Sequence, residues 1–160
     1  MNTATATRTA TRTATPTLSH PIGGGAAPRA WPGRLPGATL AAGAFYAFTA
    51  GIHVGIVVAD TGFYGGFADG SPWGFVRAGW DEIFMAHPQG WGLFAVGLEL
   101  FLAVLLLAGG RAARLGWVGV LAFQVALVLF GWGFLFWSVP FGALLLLGAR
   151  HDWPLLAPRT

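Results

Sequence analysis

LGWVGVLAFQVALVLFGWGFLFWSVPFGALLLLGA, residues Leu115–Ala149, decides the fold: 35 residues without one charged side chain. A single helix of that length would run about 52 Å, far beyond the roughly 30 Å hydrocarbon core of a bilayer. Two shorter spans fit better, broken at Gly131-Trp132-Gly133, with the turn at headgroup level. This predicts a third span over about Ala113–Phe130 and a fourth over about Trp132–Ala149, both near the lower length limit. A break at Ser138-Val139-Pro140 would leave only about nine apolar residues beyond it, too few to span. Pro140 is tolerable as a kink inside a membrane helix. Three spans plus a re-entrant hairpin is the alternative.

Working outward, Ala38–Ala59 is a 22-residue apolar run whose only ionisable group is His53, and Gln89–Gly109 is a 21-residue run holding only Glu99. The fold class that follows is an all-α membrane protein, a four-transmembrane-helix bundle with spans at about 38–59, 89–109, 113–130 and 132–149. Composition agrees. Hydrophobic residues make up 55% of the 160 and charged residues 9%, too few charges to coat a soluble domain, so the lipid bilayer is the first partner implied. All 9 basic residues are Arg and they are sparse, which argues against a nucleic-acid groove. With 0 Cys, disulfides, thiolate metal sites and cysteine nucleophiles are excluded. Abundant Ala, Gly, Arg, Pro and Trp without Lys looks like a GC-rich bacterial genome.

Residues 1–37 are rich in Thr, Ala, Pro and Gly, carry no acidic group and lack a sustained apolar face. Such a segment buries too little apolar surface to offset its ordering entropy, so a disordered tail is expected. Residues 38–150 then form the membrane domain and 151–160 a second short tail. With both tails in the cytoplasm, Arg8, Arg12, Arg29, Arg34, Arg111, Arg114, Arg150 and Arg159 fall inside and only Arg77 outside. This is a strong positive-inside signal and places the chain as a multi-pass protein of the bacterial inner membrane. The outer segment Asp60–Pro88 opens on a Gly-rich aromatic stretch. Ser71-Pro72 then reads as an N-cap followed by proline at the first helical position. Trp73, Val76, Trp80, Ile83 and His87 recur beyond it, with Arg77, Asp81 and Glu82 opposite. This predicts a short interfacial helix with Trp73 and Trp80 at headgroup depth.

Ionisable and amide groups inside spans are costly and so become site candidates. Measured from the inner end of each span, His53 lies about 22 Å deep, Glu99 about 15 Å and Gln124 about 14 Å. Tyr46, Thr49, His53 and Asp60 share one face of the first span, and Gly51 and Gly55 bracket His53 as a GxxxG pair. A neutral Glu99 can donate to and accept from Gln124, so the two are expected to pair near the midplane and to glue the bundle. His53 reads first as a packing residue and second as a functional one. Asp60 and His87 are outer-face candidates. His plus carboxylate suits zinc or iron, and two histidines can ligate haem, but no ligand-spaced motif such as HExxH occurs, so no metal or cofactor is expected. No nucleophile–base set or GxSxG is present among Ser19, Ser71 and Ser138, and no catalytic residue is expected.

GIHVG in the first span, LGWVGVLAF opening the third and FGWGFLFWSVPFGALLL through the fourth resemble short bacterial membrane proteins classed as domains of unknown function and loosely grouped with DoxX-like proteins. The resemblance covers about Ala38–Arg150 and implies four helices, with no catalytic residue to transfer. Function is therefore expected from one of three classes. The first is a non-enzymatic bundle acting as a homo-oligomer or membrane-complex subunit, favoured by the small-residue faces. The second is a small proton-coupled transporter using Glu99 and His53. The third is a redox or quinone-linked subunit using His53 and the aromatic outer loop.

Overall fold

The computed structural model describes residues 35–157; residues 1–34, most of the segment read as a disordered tail, and 158–160 lie outside it. The regular structure of the described chain is all helical, with no strand. In chain order the helices are α1 (Gly37–Ala59), a short α2 (Gly74–Gly79), α3 (Pro88–Ala108), α4 (Gly110–Leu127) and α5 (Trp132–Asp152). Turns of 3₁₀ helix extend α4 through Val128–Phe130 and α5 through Trp153–Leu156. With those extensions, four helices are long and apolar enough to cross a membrane.

The four long helices close a ring, with α1 against α3, α3 against α4, α4 against α5 and α5 back on α1. Tyr46, Leu102, Leu106, Trp117, Val120 and Leu145 fill its centre. Close approach depends on missing side chains. A Cβ on Gly116 would sit 2.9 Å from the Leu106 backbone nitrogen, and one on Gly92 would sit 2.5 Å from Val57. The GxxxG pair behaves differently. Gly51 and Gly55 have no neighbouring atom within 4 Å of a would-be Cβ, so this motif serves no contact among the described residues. Phe48, Val58, Val104, Val125 and Phe136 point outward and are largely exposed.

The corners between α3 and α4 and between α4 and α5 are tight because glycine can adopt positive φ. Gly109 has φ 74°, Gly110 φ 54° and Gly131 φ 94°. The long connection between α1 and α3 marks one end of the bundle, the loop end; the α3–α4 corner and the last turns of α5 mark the other, the terminal end.

Within 151–160, read as a short tail, the helix runs on to Asp152 and then to Leu156, both buried, because Asp152 finds partners on α1. One expectation needs correction. The outer helix is shorter and turned. Ser71 lies ahead of it, with Trp73 at the N-cap; Ser71 Oγ accepts from the Trp73 N–H at 3.2 Å and donates to the Leu129 carbonyl at 2.6 Å. A π turn over Trp80–Phe84, closed by Met85 N–H to Trp80 C=O at 2.8 Å, then inserts one extra residue into the helical register. Ile83 and Trp73 are left exposed while Trp80 and Phe84 turn onto the bundle.

Candidate functional site

Helix α1 presents Tyr46, Thr49 and His53 at i, i+3 and i+7, one face directed into the bundle. From α3 comes Glu99 and from α4 Gln124. These five residues, named from sequence, line one cavity of about 330 Å³ in the loop-end half of the ring. Glu99 Oε1 lies 3.7 Å from His53 Nε2, and the Glu99 side chain is only 4% exposed. The other imidazole nitrogen, Nδ1, is 2.8 Å from the Tyr64 hydroxyl, and the two rings stack at 12°. A continuous line of carboxyl, imidazole and phenol thus runs from the centre of the bundle to the loop. Beside it, the Gln124 amide donates to the Tyr46 hydroxyl at 3.3 Å, and that hydroxyl donates to the Val120 carbonyl at 3.3 Å. Thr49 Oγ donates back to the Tyr46 carbonyl at 3.1 Å.

Sequence reading missed Tyr64, which is needed to complete this line. The chain has just 2 Tyr, and both bring their hydroxyls to the cavity, which was the one available signal. Local chemistry holds Tyr64 in place. Asp60 ends α1 and its carboxylate accepts the Gly62 N–H at 2.8 Å, winding Thr61–Tyr64 into a 3₁₀ turn. Gly92 leaves room for the ring, since a Cβ there would come 3.1 Å from the Tyr64 hydroxyl. Burial, with a smaller effect from the neighbouring Glu99, pushes the Tyr64 phenol above its ordinary pKa. The Trp80 indole N–H donates to the Tyr64 carbonyl at 2.9 Å. Trp80 stacks on Phe84 with ring centroids 3.8 Å apart and meets Phe67 and Phe130, so the loop roofs the cavity with aromatic rings. Trp80, expected at headgroup depth, is thus packed over the cavity.

The expected Glu99–Gln124 hydrogen bond is not formed. The Tyr46 hydroxyl takes the Gln124 donor, and His53 is the group facing Glu99. Glu99 Oε2 and Gln124 Oε1 are left buried with no hydrogen-bond partner among the described residues. Of the outer-face candidates, Asp60 is committed to its turn, and His87 is exposed at the start of α3 beside Thr61 and Gln89; neither lines the cavity. His53 and His87 therefore do not share a site, and among the described residues no three His, Asp or Glu side chains converge on a metal position.

A second polar cluster, at the terminal end, had no sequence expectation. Asp152 is completely buried; its Oδ2 accepts the Thr39 N–H at 2.7 Å and the Thr39 hydroxyl at 2.8 Å. The Trp117 indole donates to Thr39 Oγ at 3.1 Å, and His151 lies 2.8 Å from Asp152 Oδ1. This cluster ties α5 to α1 and α4 and offers no cavity. Chemically, the loop-end cavity can hold a small, mainly apolar molecule, set it beside the Glu99 carboxyl and move a proton between carboxyl and imidazole. No family model, curated protein or solved structure matches the chain, and its function is read from the chemistry of this cavity.

Proposed function

We propose that the chain is a multi-pass protein of the bacterial inner membrane, with N- and C-termini cytoplasmic, and that it moves a small solute through the loop-end cavity in exchange with protons on Glu99 and His53. The observation carrying this reading is the Tyr64–His53–Glu99 line beside an unpaired, buried carboxyl oxygen. A carboxyl kept only as glue would have both oxygens satisfied, because an orphaned buried acceptor costs about 1–3 kcal/mol. Here that cost is borne by a carboxyl in the wall of the cavity. Insertion is supported by the outward Phe48 and Phe136, 66% and 83% exposed, which lipid would cover.

The line also works as a two-state proton carrier. In the loaded state a protonated Glu99 faces Nε2 and the Nδ1–H donates to Tyr64; once one proton has left through the Tyr64 hydroxyl, Nε2–H faces an ionised Glu99 and Tyr64 donates to Nδ1. In proteoliposomes holding a pH dye, a panel of cationic, neutral and anionic amphiphiles is expected to include members that drive proton flux. That flux should disappear in Glu99→Gln. Silence across the panel, or equal flux in wild type and Glu99→Gln, would end the transport reading.

A homo-oligomer is the second reading, favoured by one observation: Gly51 and Gly55 present an open small-residue face on α1 that none of the described helices covers. Disulfide capture of Gly51→Cys pairs in the bilayer tests it, and a monomer under oxidising conditions would remove it.

A further inference from the structure

We propose that the cavity binds a lipophilic organic cation, a small quaternary ammonium bearing aryl or alkyl groups, and that the cation takes the place of a proton on Glu99. This deepens the transport reading above by naming its substrate class.

Three features of the cavity select that chemistry together. Among the described residues, Glu99 Oε2 is buried without a hydrogen-bond partner and belongs to the only carboxyl in the cavity lining. No Arg among the described residues lines the cavity, so an ionised Glu99 has His53 alone there as a potential countercharge. Most of the remaining wall is Phe, Tyr and Trp, with Trp80, Phe84, Phe134 and Trp137 among the rings. Ring faces carry negative quadrupole potential, and a desolvated cation over such a face gains free energy that a neutral molecule does not. An anionic ligand would meet Glu99 with no Arg to offset it. A neutral hydrocarbon would fill the space and supply no countercharge to an ionised Glu99. A cavity of about 330 Å³ is at the small end of ligand sites, which suits one aryl group on a trimethylammonium head.

Charge conservation supplies the coupling. With Glu99 protonated and His53 neutral, the lining carries no net charge, and a cation entering would be unbalanced in low dielectric. When the carboxyl proton departs and the cation enters, net charge is unchanged and the carboxylate becomes the cation's partner. The titratable groups facing Glu99 are His53 and Tyr46 from α1 and Tyr64 from the 3₁₀ turn; the lining residues of α4 and α5 carry none. His53, half-buried and 3.7 Å away, is the acceptor that passes the proton on, directly or through one water.

The test uses benzyltrimethylammonium and its uncharged carbon isostere neopentylbenzene with the purified full chain in detergent. Benzyltrimethylammonium should quench tryptophan fluorescence saturably, bind more tightly as pH rises, and release about one proton per cation in weak buffer. Glu99→Gln should weaken binding at least tenfold while keeping the wild-type unfolding temperature, and Glu99→Asp should retain part of the affinity. Neopentylbenzene should not compete. Equal binding of the isostere, no proton release, or full binding by folded Glu99→Gln would overturn the cation assignment. The outcomes separate the two claims. Saturable cation binding without flux in liposomes would leave the site and remove the transporter. Flux driven only by neutral or anionic members of the panel would keep the transporter and remove the cation.

Discussion

Asp152 shows how much one side chain organises here. Its carboxylate meets the first turn of α1, where backbone N–H groups have no intrahelical partner and the helix dipole favours negative charge. Thr39 adds a hydroxyl to the same oxygen, and Trp117 closes the cluster. Replacing Asp152 by Ala leaves the Thr39 donors unpaired in a fully buried position, so a loss of about 1–3 kcal/mol is expected. Asp152→Asn keeps an acceptor for the Thr39 N–H and should cost less. Reversible unfolding in mixed micelles reads both, and an Asp152→Ala protein as stable as wild type would show that the carboxylate does not hold α1. None of this was legible in the sequence, since the stretch after Arg150 looks like the start of a polar tail. The available hint was that Asp152 is the one acid on a side otherwise given to arginines. The loop-end residues were easier to name, because His53, Glu99 and Gln124 interrupt long apolar runs. Spacing along a helix does not fix side-chain direction across helices, so their partners came out differently.

At the scale of elements, apolar run length gave the four long helices, and the Gly131 break lies where an uncharged 35-residue stretch would otherwise overshoot a bilayer. The structure supplies the local reason. Gly131 takes φ 94°, and a Cβ there would come 1.8 Å from the Gly70 carbonyl oxygen. Gly131→Ala should therefore cost more than the roughly 1–2 kcal/mol of left-handed backbone strain, because the 70–71 segment must also retreat. Ser71, bonded to the Leu129 carbonyl, would move with it and loosen the roof over the cavity. Gly133→Ala is the control: nothing lies within 4 Å, the position is helical, and alanine should be neutral or stabilising. Comparable unfolding midpoints for the two variants would contradict this corner. The loop helix was the least legible element. Its heptad pattern assumed unbroken α geometry, whereas the π turn at Trp80–Phe84 rotates everything after it. No residue in Trp80-Asp81-Glu82-Ile83-Phe84 announces an extra residue in the turn.

For the whole molecule, the proposed orientation follows from where charge gathers once the helices are assembled. Arg111 and Arg114 open α4 at the terminal end and Arg150 closes α5 there, while the loop end has Arg77 with Asp60, Asp69, Asp81 and Glu82. Basic residues close to span ends are retained on the cytoplasmic side, so the terminal end is expected inside and the cavity roof outside. Arg114 is partly committed to structure: its guanidinium donates to the Trp153 carbonyl at 3.0 Å and lies 5.1 Å from the Trp153 ring centroid. Arg111 is exposed and carries the topology argument more cleanly. The absence of cysteine makes a direct test possible. Asp69→Cys, exposed on the loop, should react with a membrane-impermeant maleimide in intact cells, whereas Arg111→Cys should react only after the membrane is opened. The opposite pattern would invert the molecule and turn the Tyr64 end of the proton line toward the cytoplasm. Labelling of both sites in intact cells would mean that the population inserts in two orientations. In that case the exchange at Glu99 would run from either side, and solute and proton would be free to equilibrate in both directions.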